Sequence, residues 1–110
     1  MKNKKRFFVT FGTNKHDLMK SKQILEDLLA IKLRMNDSSF EEGFLYRYIV
    51  PGESHAQISL YENYMPTVDD WKDPDNKQYK IIIDFLSLEL DASEIVALSK
   101  HFEYLYSRQI

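Results

Sequence analysis

Two runs with a period of two, on either side of a Pro-Gly pair, constrain this chain more than any other feature. "FLYRYIV" (Phe44 to Val50) puts Phe44, Tyr46, Tyr48 and Val50 on one side, with Leu45, Arg47 and Ile49 on the other. "HAQISLY" (His55 to Tyr61) sets Ala56, Ile58 and Leu60 against Gln57, Ser59 and Tyr61. Successive side chains of a strand point to opposite faces, so such alternation marks half-buried strands. "PGES" (Pro51 to Ser54) suits a type II turn, with proline fixing φ and glycine accepting a positive one. A β-hairpin is expected.

The remaining elements follow from the same patterning. "RFFVTFG" (Arg6 to Gly12) is almost continuously apolar and fits a strand in the middle of a sheet. Thr13 or Asn14 can cap a following helix, with Asp17 in its first turn, where the helix dipole favours an acid. Leu18, Leu25, Leu28 and Leu29 share one face of that helix, which runs to about Ala30, and Ile24 and Ile31 widen the stripe. "KLRMNDSSF" reads as a short edge strand rather than a last helical turn, and "EEG" (Glu41 to Gly43) as a turn. "QYKIIIDFL" alternates Tyr79, Ile81, Ile83 and Phe85 against Lys80, Ile82 and Asp84. "DASE" (Asp91 to Glu94) has the spacing of a capping box, and Ile95, Leu98, Phe102 and Leu105 then fall on one helical stripe. The order β-α-(β)-β-β-β-α predicts an α+β two-layer sandwich over 1–110, a single domain. Its mostly antiparallel sheet of about four or five strands carries both helices on one face.

Several classes of chemistry are excluded. The chain has no cysteine, so disulfides, thiolate metal sites and cysteine nucleophiles are all absent, which fits a cytoplasmic setting. Gly12, Gly43 and Gly52 are too few and too scattered for a phosphate-cradling loop. His16, His55 and His101 lack a second ligand at metal-site spacing, and no nucleophile elbow supports a serine triad. "DPDN" (Asp73 to Asn76) has acids at the first and third positions of a calcium loop, but Lys77 stands where the fifth-position ligand belongs. No cofactor or metal is expected. The apolar run after "KNKKR" ends at Gly12, too short for a signal peptide, and no run is long enough to span a membrane.

The formal net charge of −2 conceals a dipole along the sequence. Residues 1–36 carry nine Lys/Arg against three acids, whereas residues 37–75 carry two against nine. Such asymmetry speaks about partners. The acids crowd into "ENYMPTVDDWKDPDNK" (Glu62 to Lys77), sixteen residues with no helix or strand period. Structureless stretches of that length are uncommon inside a small domain and are either functional or disordered. Pro66 and Pro74 stiffen it, and Trp71 stands among Asp69, Asp70 and Asp73. Rigid acids around one large aromatic make a hot spot for a basic protein. The candidate partner-binding set is Glu62, Tyr64, Asp69, Asp70, Trp71, Asp73 and Asp75, flanked by Glu41 and Glu42. Tyr61, at the exit from the hairpin, is expected to be partly exposed as well.

Four stretches together, "FFVTFG", "NDSSFEEGFLYRY", "ISLYENY" and "YKIIIDFLSLE", give the chain a layout that resembles small immunity proteins of bacterial contact-dependent growth inhibition and related toxin systems. The resemblance implies a cytoplasmic, non-enzymatic inhibitor that binds a toxin domain. Many such toxins are nucleases with basic substrate clefts, which an acidic loop can occupy. Two other readings remain open. One is a metal-dependent nuclease or hydrolase using these carboxylates. The other is a small RNA-binding or regulatory module using the basic first third, although the acidic middle would repel phosphates.

Overall fold

The strand-forming runs that alternate in the sequence take their places in one antiparallel sheet, and the apolar positions decide which face the helices cover. The computed structural model describes residues 7–35, 45–52, 56–65, 68–88 and 90–109. Chain order is β1 (Phe7–Thr13), α1 (Leu18–Leu29), β2 (Arg34–Met35), β3 (Leu45–Ile49), β4 (Gln57–Glu62), β5 (Tyr64–Met65) and β6 (Asp70–Trp71). A 3-10 turn (Pro74–Asn76), β7 (Ile81–Leu86), α2 (Ala92–Ser99) and β8 (Glu103–Gln109) follow. Six strands pair antiparallel in the order β2-β3-β4-β7-β1-β8, while β5 and β6 form a separate ribbon. Without β2 and β3, this is the split β-α-β plan. The unit β1-α1-β4 brackets β7, and the unit β7-α2-β8 brackets β1.

Both helices lie against the same face of the sheet. Leu18 and Leu25 of α1 and Leu98 of α2 join Val9, Phe11, Ile58, Leu60, Ile83 and Phe85 in one buried cluster. Ala56, Ile58 and Leu60, and Ile81, Ile83 and Phe85, are buried as expected, and Tyr46 and Tyr48 face the helices as their alternation requires. Tyr79, expected on the same side, packs instead on the opposite face with Ile82, an outward position that is itself 0% exposed. Fully burying a Leu, Ile or Phe is worth about 1.5–3 kcal/mol, so this face supplies most of the drive to fold. The opposite face is thinner. Leu45, Tyr61 and Ile82 are buried there, with Tyr79 and Leu105 against them.

Local signals differ from expectation in two places. The cap of α1 is Asp17 itself, whose carboxylate accepts from the Lys20 N–H at 2.8 Å. Thr13 and Asn14 are otherwise engaged: Thr13 Oγ1 accepts from the Lys15 N–H, and Asn14 bonds across to Gln78 and Lys80. The short strand in "KLRMNDSSF" exists as β2, paired with β3, and residues 36–40 lie outside those described. The largest difference is at the end of the chain. The stripe through Ile95, Leu98, Phe102 and Leu105 is not one helix, because α2 stops at Ser99 and β8 follows. β1 is buried within the sheet and needs a second neighbour for its N–H and C=O groups, and the tyrosine-rich "EYLYSRQ" supplies it. The sheet therefore has six strands rather than four or five. The Asp91 capping box is formed in full, with Glu94 N–H donating to the Asp91 carboxylate and Asp91 N–H to Glu94.

Among the described residues, no helix is long and apolar enough to cross a membrane. One close approach has a direct consequence. The Tyr79 ring lies over Gly12, where an added Cβ would meet Tyr79 Cγ at 2.8 Å. Gly12→Ala is therefore expected to push Tyr79 off β1 and to destabilise the protein by about 2 kcal/mol, measured by urea unfolding.

Candidate functional site

The described parts of the acidic stretch, residues 62–65 and 68–77, are folded. Their anchor is Asn63, the residue between β4 and β5, which is 0% exposed. Its Nδ2 faces the carbonyls of Asp73, Asn76 and Tyr79 at 3.2, 3.0 and 3.2 Å, and its Oδ1 accepts from the Asp73 N–H at 2.8 Å. The Asn63 backbone donates to the Lys80 carbonyl and accepts from the Lys72 N–H, both at 2.8 Å. One amide thus satisfies backbone groups from the end of β6, the 3-10 turn and the start of β7. Asn14 reinforces the return from the far side, with Nδ2 donating to the Gln78 carbonyl and Oδ1 accepting from the Lys80 N–H.

Held at that base, β5 and β6 pair Tyr64 with Trp71 and Met65 with Asp70. The Tyr64 and Trp71 rings lie 5.0 Å apart at 56°, with Trp71 half-buried and Tyr64 39% exposed. Asp69 takes a left-handed conformation at φ 51°, which an aspartate tolerates better than most residues, and its carboxylate accepts from the Tyr64 hydroxyl. That bond pushes the Tyr64 phenol above its ordinary value. Asp70 accepts from the Trp71 N–H at 2.8 Å. Asp69, Asp70 and Asp75 are exposed, as is Val68 beside them. A groove of about 460 Å³ runs along the pair, lined by Glu62, Tyr64, Trp71 and Lys80.

The structure therefore gathers Glu62, Tyr64, Asp69, Asp70 and Trp71 on one ribbon and the strand beneath it. Asp75 stands apart on the 3-10 turn. Asp73 is half-buried and turned inward: its Oδ2 accepts from Asn76 Nδ2 at 2.7 Å, and its backbone is part of the Asn63 anchor. It shapes the loop more than it charges the surface. Glu41 and Glu42 lie outside the described residues.

Sequence reasoning missed four features here. Asn63 gave no signal, since an asparagine after a strand reads as an ordinary turn residue. Lys80 sits at an outward position of a strand run and joins the groove only because the excursion returns beside it. Tyr61, expected to be partly exposed, is 8% exposed. Its hydroxyl donates to Asp84 Oδ2 at 2.7 Å, while Thr10 donates to Asp84 Oδ1 at 2.8 Å and Lys72 Nζ stands 5.5 Å above the Tyr61 ring. His16 and His101 also meet, their rings 6.3 Å apart and both against Phe102. Among the described residues, no three His, Cys, Asp or Glu side chains converge as a metal would need.

Burial pushes the Asp84 carboxyl up, the bonds from Tyr61 and Thr10 pull it down, and the nearby Asp73 charge adds to the rise, which prevails. Burial, with the Asp84 charge and hydrogen bond behind it, drives the Tyr61 phenol far above its usual range. The folded protein thus holds a proton on Asp84 more tightly than the unfolded chain does. Its contribution to stability is fullest below the ordinary aspartate value of 3.8 and is lost as pH rises through the raised one. The stability of the wild type relative to Asp84→Asn should therefore improve as pH falls from about 7 to about 4, read from urea midpoints. Asn63→Ala should cost about 3 kcal/mol by stripping partners from buried backbone groups, and should expose Trp71, followed by its emission. Comparison of the chain with protein-family models, with curated proteins and with solved structures gave no match.

Proposed function

We propose that the protein is a cytoplasmic immunity protein that binds and neutralises a toxin domain, a nuclease with a basic surface, without catalysis of its own. The observation that carries this reading is the anchored excursion. A stretch rich in acids is fixed by a buried asparagine so that an aromatic pair and exposed aspartates face outward together. Order before binding lowers the entropy lost on docking, and aromatics beside charge serve as anchors at protein interfaces. Opposite charge on the partner speeds encounter. The layout of the chain, which resembles that of small immunity proteins of contact-dependent growth inhibition, points the same way.

A hydrolase using the same acids would need carboxylates converging in a pocket. Here Asp69, Asp70 and Asp75 face solvent along a ribbon and a turn, which suits a docking surface.

The test uses the toxin domain encoded beside this gene, with association followed by stopped flow at several salt concentrations. Asp70→Asn combined with Asp75→Asn changes no internal contact of the Asn63 anchor. It should slow association several-fold at low salt and flatten the salt dependence. Unchanged kinetics would remove the excursion from the interface, and failure to bind any such domain would remove the reading itself.

A further inference from the structure

We infer that the groove beside the Tyr64–Trp71 pair receives one arginine side chain of the basic partner. This rests on the docking reading above and names the chemistry of its central contact. The groove, about 460 Å³, is within the range of cavities that enclose small ligands and is ample for a guanidinium and its stem. Among the described residues it is lined by Tyr64, Trp71, Glu62 and Lys80.

An arginine matches three of those residues. Its guanidinium is flat and weakly hydrated, so it lies against aromatic faces at little desolvation cost. Its fork of donors meets a carboxylate in plane, and Glu62 is part of the lining. Asp69 and Asp70, exposed on the same ribbon, add negative potential around the opening. A lysine would bring a strongly hydrated point charge with no flat face to stack. A nucleobase would stack equally well, but its phosphates would meet Glu62, Asp69 and Asp70.

The fourth residue gives the groove its selectivity. Lys80 adds a cation to the same lining, and its charge opposes an incoming guanidinium. A lone arginine therefore binds weakly, and firm seating waits for a partner whose other contacts hold it in place.

Trp71 is the only tryptophan in the chain, so its emission reports directly on the groove. The probes are capped tripeptides Gly-Arg-Gly, Gly-Lys-Gly and Gly-citrulline-Gly, titrated at low salt into the full chain. The arginine peptide should give a saturable change, the lysine peptide a weaker one and the neutral citrulline peptide none. Glu62→Gln should weaken arginine binding by about fivefold, and Lys80→Ala should tighten it by about as much. Both side chains are exposed, and far-UV circular dichroism checks that each variant keeps the fold.

No saturable change with the arginine peptide, an equal response to arginine and lysine, or indifference to Glu62→Gln overturns the inference. Silent peptides alongside toxin binding that Asp70→Asn and Asp75→Asn slow would leave the docking reading standing without the arginine site. Saturable arginine binding with no toxin bound would leave the site and remove the inhibitor.

Discussion

The candidate surface depends on the hydrogen-bonding capacity of one buried side chain. Asn63 is the only point at which the strand leaving the hairpin, the acidic ribbon, the 3-10 turn and the start of β7 are tied together by a single group among the described residues. Backbone amides and carbonyls removed from water must find partners, and in an excursion without long strands the backbone cannot supply them all to itself. A primary amide, with two donors and an acceptor, can. An aspartate in its place would turn a carboxylate oxygen towards the three carbonyls. Order in the described part of the acidic stretch is therefore bought by one polar residue, while Asp69, Asp70 and Asp75 face solvent.

The sheet divides labour between its faces. The helix-covered side is an apolar core of interlocking aliphatic and phenylalanine side chains. The other side mixes a small apolar cluster with Asp84, Tyr61 and Thr10, polar groups that satisfy one another. That polar cluster borders the excursion: Lys72 covers the Tyr61 ring, and the Asp73 charge is felt at both Tyr61 and Asp84. The protonation of the sheet and the electrostatics of the loop are coupled through these few residues.

Much of this was legible in the sequence, and the parts that were not share a cause. The hairpin, α1, β7 and the capping box of α2 announce themselves by local period or local chemistry, and they stand where expected. β8 was hidden because Leu98 and Phe102 do sit at helical spacing in the core, so the stripe was true for its first half. What decided the second half was the unpaired edge of β1, at the other end of the chain, which no local window contains. The ordered ribbon was hidden for a similar reason. Two-residue strands have no period to detect, and the groove exists only because Lys80 returns beside Glu62. The nominated residues that do meet, Glu62, Tyr64, Asp69, Asp70 and Trp71, were legible as composition. Asp73 was not distinguishable from them, because its inward role depends on Asn63 and Asn76.

The position of β1 has a consequence for how the molecule comes into being. Both of its neighbours, β7 and β8, come from the last third of the sequence, and Phe7 is matched with Gln109. Loop-closure entropy opposes such distant pairing, and little repays it until the final strand is available. On a ribosome β1 has neither sheet neighbour until β7 has emerged, and its second edge stays open until β8 follows. Assembly of this sheet thus awaits β7 and β8, with "FFVTF" open to chaperones, or to other nascent copies, in the interval.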